Sequence, residues 1–526
     1  MTWTRIALFV FFQALYALTS SGNIFRVPDE FEVYFQAEHL IDAGDLSVPQ
    51  AAAMNRPIIV KGRMVGQESF FFGRVGLDGK PYAPYGPAVA LLAVPHHLAG
   101  RGLAAMIGIP RAARGEGSAW AFFVGGITML ASATAAALAV VGFHCASIAL
   151  GTSARTALLL SMLLGGATVL WPYGTSLFSE AFVAAALVWA AAFLIEARAA
   201  IRPSPRIAMA AALIVVAGLT NVSSLVFAPA FVAAILAERS VAAGRRWQIA
   251  AIVAGAILLA AALQLGWNAY RFGSLFEFGY DWTRRIRVLP PRMFAIDEMP
   301  RGIAVLLLAP GKSLFVWAPM LVLSLLNAGA TWRRDRALAL GLLVAAASGL
   351  LVFGAHVSPE GGFAHGPRHL VPIIPLLALA AAGPASRAHA KPLLYACAIV
   401  GVLMALPATA VSYLEDQAFR FNRAGNPVPG YYEVIDPAPG RSRIRYRFAH
   451  IPFLTATGTE GWFSSPLIGQ GPDYFFIHLQ QGREDLRDGQ AIPEALQWIW
   501  AVVWFVTGLT AAAVVLHLYN ALPRNP

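Results

Sequence analysis

The 526-residue chain is 58% hydrophobic and only 13% charged, about half the roughly 25% charge of an ordinary soluble domain. So much apolar surface exceeds what a water-soluble fold of this length can hide, which excludes a conventional soluble enzyme. The net charge of +11 does not point to nucleic acid, because the basic residues sit in short connections between apolar runs, the bias of cytoplasmic loops in membrane proteins.

In chain order, apolar runs occupy 5–22, 84–107, 120–141, 155–171, 176–196, 206–220, 222–237, 247–266, 303–326, 337–353, 370–383, 393–410 and 496–518. A helical crossing takes about 20 apolar residues. Barrel strands would be near 10 residues and alternating, so helices are the remaining way to satisfy the backbone in lipid. The expected fold is an all-α polytopic membrane protein with about 12–13 transmembrane helices. Several runs are short, so some are expected to be tilted, broken or re-entrant. Residues 5–22 lack a polar tail and a small-residue cleavage site and read as a retained first span.

Four polar stretches interrupt the runs: 23–83, 267–302, 354–369 and 411–495. The basic clusters are Arg198, Arg202 and Arg206; Arg239, Arg245 and Arg246; Arg333, Arg334 and Arg336; and Arg387 with Lys391. Anchoring them in the cytoplasm puts 267–302, 354–369 and 411–495 on the opposite face. Thirteen spans do not reconcile with two cytoplasmic termini, which need an even number; the doubtful stretch is 84–171, broken by Pro95, His96, His97 and Pro110. The expected organisation is a transmembrane domain over 1–410, an exterior region of mixed or β-rich structure over 411–495, and a last helix with a short tail over 496–526. Cys145 and Cys397 lie in or beside apolar runs and read as packing residues. Gly125–Gly126 and Gly165–Gly166 read as close helix contacts.

Polar residues at the edges of these runs are the candidates for chemistry. Val27-Pro28-Asp29-Glu30-Phe31-Glu32-Val33-Tyr34 follows the first span directly, and carboxylates at a membrane helix mouth are costly unless solvated or used. One such carboxylate has the chemistry of a general base on a hydroxyl; a plain helix start with Pro28 and Asp29 as turn and cap fits equally well. Tyr82 and Tyr85 belong to a Pro-rich entry to the second run, an interfacial belt or a wall for a polar headgroup. Glu180 opens an apolar run and requires an arginine, a polar ligand or water. Arg271, with Arg284, Arg285 and Arg287 beyond it, is basic on the exterior side, which favours an anion such as phosphate. Lys312 interrupts an apolar run without the spacing of a phosphate-binding loop, and a snorkelling lysine is the alternative. His356, Glu360 and His365 match no standard zinc spacing, whereas Arg368 and His369 at a helix mouth suit a phosphate oxygen.

Taken together, Pro28-Asp29-Glu30 with Tyr34, Tyr82 to Tyr85-Gly86-Pro87, Arg271-Phe272-Gly273-Ser274, Pro310-Gly311-Lys312 and His365-Gly366-Pro367-Arg368-His369-Leu370 resemble the GT-C superfamily of membrane glycosyltransferases. The resemblance runs from residue 1 to about 383 and is nearest the bacterial protein mannosyltransferase and aminoarabinose transferase groups. It implies a bacterial inner-membrane enzyme with its site on the periplasmic or exterior face. That enzyme would move a sugar, with inversion, from a polyprenyl-phosphate donor to a glycan, lipid or protein acceptor. It further implies Asp29, with Glu30 beside it, as the catalytic acid position. Tyr34, Tyr82, Tyr85, Glu180, Arg271, Lys312, His365, Arg368 and His369 become substrate-binding candidates. It names no certain cofactor and no metal ligand, and it admits a divalent cation. Two other readings remain open: a transporter or flippase for a lipid-linked or anionic substrate, which predicts inverted internal repeats, and a non-enzymatic envelope assembly protein.

Overall fold

In the computed structural model the described residues are 2–21, 28–53, 55–60, 63–69, 71–111, 119–199, 204–280, 294–309, 311–356, 358–359, 361, 364–382, 390–410, 464–465, 469–470, 474–475 and 495–522. They form an all-helical bundle with three small antiparallel ribbons outside it. Among the described residues, six helices are long and apolar enough to cross a membrane: α5 (Ala119–Ala149), α8 (Ser179–Ala199), α11 (Ala243–Phe272), α15 (Arg336–Gly354), α17 (Ala390–Ala410) and α18 (Ala495–Ala521). Shorter apolar helices include α1 (Thr2–Leu18), α6 (Ala154–Gly166) and α9 (Ser204–Thr220). The bundle is thus polytopic and helical, as the composition requires.

Several expected continuous spans are broken, for local reasons. Residues 303–326 divide into α12 (Met299–Leu308), α13 (Leu314–Trp317) and α14 (Met320–Arg334). Proline lacks the amide that would continue a helix, and Pro310 and Pro319 stand at the two breaks. Ser313 restarts the chain as a cap, its Oγ accepting from the Phe315 and Val316 amides at 3.3 and 3.4 Å. Residues 222–237 divide into a 3₁₀ turn (Val222–Phe227), capped by Asn221, and α10 (Pro229–Ala237). Residues 368–382 alternate 3₁₀ and α turns. These breaks put polar backbone beside the site, which membranes tolerate only where protein buries it.

Between α1 and α4 (Pro87–Met106), which is not among the helices apolar enough to cross, the chain forms α2 (Pro28–Ala43), a short helix Pro49–Ala52 and two hairpins, Asn55–Val60 with Arg63–Ser69 and Arg74–Val75 with Pro81–Tyr82. Proline at its first position suits a helix start, and α2 carries Asp29 and Glu30 in its first turn. The loop is pinned by Lys80 to Asp45 (2.7 Å) and Arg101 to Asp42 (2.8 Å).

α5 is the central post, packed against α1, α4 and α8. Gly165 lets Phe12 approach: a Cβ there would stand 2.3 Å from the ring. Gly126 does the same for Phe475, at 2.0 Å. Phe475 is fully buried between Phe122, Phe123 and Trp500. Residues 411–463 and most of 466–494 lie outside the described residues, as does the expectation of a small exterior fold there; Ser464–Ser465 pairs with Gly469–Gln470.

Candidate functional site

Helix α8 organises the site. Its first turn holds Glu180 and its last holds Arg198, about 27 Å apart at 1.5 Å per residue, close to the roughly 30 Å hydrocarbon thickness of a bilayer. The two ends therefore address opposite sides. At the Arg198 end, Arg198 bonds Glu238 (3.0 Å) and Asp335 (2.6 Å), which belong to the connections rich in arginine.

At the Glu180 end, Arg368 collects two carboxylates from distant parts of the chain. Its Nε donates to Glu180 Oε1 at 2.7 Å and its Nη2 to Asp29 Oδ1 at 2.6 Å. Its guanidinium lies 4.3 Å from the Phe178 ring centroid. All three groups are largely enclosed, with side-chain exposures of 15% for Arg368, 18% for Asp29 and 3% for Glu180. Removing one member of such a pair leaves an uncompensated charge, a loss of about 3–5 kcal/mol. Among the described residues, Asp29 makes no hydrogen bond through its second oxygen. The triad carries one positive and two negative charges when ionised, so two of the Arg368 donors already serve carboxylates.

Neighbouring groups complete the wall. Leu177 donates its amide to Glu30 Oε1 (3.1 Å), and Phe72 donates to Glu32 Oε1 (2.7 Å). Both acids are fully buried and tie α2 to its surroundings. The Tyr85 hydroxyl is buried with no hydrogen-bond partner among the described residues. Burial first, then the charges of Asp29 and Glu32, hold its phenol well above the usual value. It therefore stays a donor beside the acids.

A small polar pocket adjoins Phe178 and is lined by Tyr173, Thr175, Ser176, His365 and Thr409. Tyr173 donates to the His365 carbonyl at 3.0 Å. Lys312, fully buried rather than snorkelling, places Nζ 2.6 Å from the carbonyl of the preceding residue, Ala364. The His365 ring packs on Trp317, and His369 stacks on Phe353 with ring centroids 4.7 Å apart.

The sequence candidates thus divide. Asp29, Glu180 and Arg368 meet; Tyr85 feels the charges of Asp29 and Arg368, Glu30 holds Leu177 and His365 is tied to Tyr173, while Lys312 is held by the Ala364 carbonyl. Arg271 does not present itself to an anion: it is 1% exposed, donates to the Ala83 carbonyl and to Asn268, and lies over Trp267 and Phe272. The Tyr82 hydroxyl donates to Asp78 at 2.8 Å, and Tyr34 packs on His97 and Phe35. These three hold the segment between α1 and α4 to the bundle. His369 is packed between Phe353 and His356. Tyr173 and Phe178 belong to the aromatic run that leads into Glu180, whereas Thr409 had no signal in the sequence.

The residues do not fit a divalent cation between the two acids, because the Arg368 guanidinium occupies that position. Among the described residues no group of three His, Cys, Asp or Glu side chains converges on one point. Of His356, Glu360 and His365, whose spacing matches no standard zinc pattern, Glu360 lies outside the described residues, His356 turns its Nδ1 to Ser358 (3.0 Å) and His365 faces Trp317.

No known family's sequence profile matches the chain, and no curated protein matches it. Among solved structures it is similar to ArnT from Cupriavidus metallidurans bound to undecaprenyl phosphate, at 15% identity, over 98% of this chain and 77% of that one, with a TM-score of 0.45. It is also similar to the oligosaccharyltransferase AglB of Archaeoglobus fulgidus in complex with an inhibitory peptide and a dolichol-phosphate. There the identity is 12%, the coverage 93% of this chain and 60% of that one, and the TM-score 0.43. The same oligosaccharyltransferase in complex with Zn and sulfate gives 12%, 89%, 58% and 0.43. This chain spans under two thirds of the oligosaccharyltransferase's length, and likeness at this level decides nothing about its chemistry.

Proposed function

We propose that this protein is an inverting glycosyltransferase that moves a sugar from a polyprenyl-phosphate donor to a hydroxyl-bearing acceptor outside the cytoplasm. The carrying observation is the convergence of Asp29 and Glu180 on Arg368, with one Asp29 oxygen left unengaged. Arg368 fixes the Asp29 carboxylate and Glu180 fixes Arg368, so both are positioning residues. The free Asp29 oxygen takes the acceptor's hydroxyl proton. That hydroxyl oxygen then bonds to the anomeric carbon from the face opposite the phosphate, and the bond from carbon to phosphate oxygen breaks. The electron pair leaves with the polyprenyl phosphate, whose charge Lys312 offsets in an enclosed setting where such stabilisation is strongest. A single displacement needs one base, not the paired carboxylates of a retaining hydrolase.

The arginine-rich end of α8 supports the sidedness: by the positive-inside bias that end is cytoplasmic, so Asp29 faces the exterior, in a bacterial inner membrane. The acceptor is a glycan, lipid or protein. The test is transfer of radiolabelled sugar from a panel of polyprenyl-phosphate sugars by the purified protein. The proposal expects transfer from one of them, lost in Asp29→Ala; transfer from none, or transfer undiminished by that substitution, overturns it.

A further inference from the structure

At the opposite end of α8 lies a cleft that glycosyl transfer does not use. It is a half-open cleft between α8, α10, α11 and α15. Leu194, Ile195, Phe231, Ile235, Leu338 and Leu342 line it, and its charged residues all come from one end: Arg198, Glu238, Arg245 and Arg246. Arg198 is neutralised by Glu238 and Asp335. Arg245 and Arg246 are not: neither makes an ion pair among the described residues. Arg246 donates once, to the Leu236 carbonyl (3.1 Å), and its buried Nε has no partner.

These two arginines also stand where positive charge is least favoured. They occupy the first turn of the 30-residue α11, whose N-cap, Ala242, offers no side-chain acceptor. The first amides of a helix point outward without intrahelical partners, and the dipole there favours an anion. An apolar cleft and an uncompensated cationic helix start are therefore joined.

We propose that this cleft binds an anionic glycerophospholipid of the leaflet at the arginine-rich end. An acyl chain lies among Leu194, Phe231 and Leu342, and the phosphate lies against Arg245, Arg246 and the opening amides of α11. That leaflet is the one rich in anionic lipids, and basic pockets between membrane helices on that side bind their head groups.

The test is native mass spectrometry of the full-length protein in mild detergent, with equal concentrations of dioleoylphosphatidylglycerol and dioleoylphosphatidylcholine. The wild type is expected to retain one phosphatidylglycerol about tenfold better than phosphatidylcholine, the worth of one charge-assisted contact. Arg245→Gln with Arg246→Gln is expected to abolish the preference, and Leu342→Trp, which fills the apolar part and leaves both arginines, to abolish retention. Equal retention of the two lipids by the wild type overturns the proposal. So does loss in the arginine variant with full retention in Leu342→Trp, since that places the lipid on the surface. If the arginine variant fails to fold, Leu342→Trp alone decides.

Discussion

The two ends of α8 hold the same charges and use them differently. At one end Arg368 is shared by Asp29 and Glu180; at the other Arg198 is shared by Glu238 and Asp335. The difference lies in what the acids have left. Asp335 caps α15 by accepting the Leu338 amide at 2.8 Å, and Glu238 accepts the Ser240 amide and hydroxyl at 3.2 and 2.6 Å. Their remaining capacity goes to the backbone, as structural ion pairs require. Among the described residues Asp29 engages one oxygen, with Arg368, and accepts no backbone amide. Charge count alone cannot distinguish a joint from a reactive centre; residual hydrogen-bonding capacity can.

The largest effect that would sharpen this contrast comes from the arginines. Arg368→Gln is expected to destabilise the protein by about 3–5 kcal/mol and to abolish transfer even in the folded fraction. Arg198→Gln is expected to cost a similar amount and leave transfer per folded molecule unchanged. Thermal unfolding of the detergent-solubilised protein, read beside a transfer assay, separates the two; equal loss of transfer in both variants would dissolve the distinction.

A smaller effect is expected for Glu180→Gln. Arg368 keeps Asp29 but loses one of two charge-assisted bonds, worth about 1.5 kcal/mol or more, so transfer should fall about tenfold. A fall confined to KM, with kcat intact, would assign Glu180 to substrate binding instead of positioning.

The smallest effect lies in the exterior loop. Burial opposes ionisation of Asp45, yet hydrogen bonds from Lys80 and Ser47 outweigh it and hold its carboxyl at about 2. A depressed carboxyl stabilises the folded form above its unfolded value, near 3.9, and that contribution is lost as pH falls toward 2. Asp45→Asn is thus expected to flatten the decline of stability between about pH 4 and pH 2, measured by unfolding across that range. An unchanged decline would show that the Lys80 contact contributes nothing.

Much of the bundle was legible because lipid imposes a single rule: apolar length makes helix. Each run identified in the sequence has helix within it, and the breaks at Pro310 and Pro319 follow from proline's missing amide. The members of the triad were legible one at a time, as charges at the edges of apolar runs. Their meeting was not, since Asp29 and Arg368 are 339 positions apart and Glu180 and Arg368 are 188 apart. No local pattern encodes such a contact. Arg271 is a like case: its side chain is buried with its Nη groups turned to Ala83 and Asn268, contacts that lie far off in sequence or within its own helix turn. Phe475 left no trace in sequence, because its socket is the space beside Gly126 on a helix far away in the chain.

The central claim is that Asp29 reacts while its counterpart Asp335 only holds the fold. The most direct test is the same substitution at both ends, Asp29→Asn and Asp335→Asn, compared in transfer of radiolabelled sugar from polyprenyl phosphate. A general base contributes about 10²–10⁴-fold, so Asp29→Asn should lose that factor with its unfolding temperature little changed. Asp335→Asn should unfold earlier and transfer at the wild-type rate while folded. Asp29→Asn turning over at the wild-type rate would contradict the account.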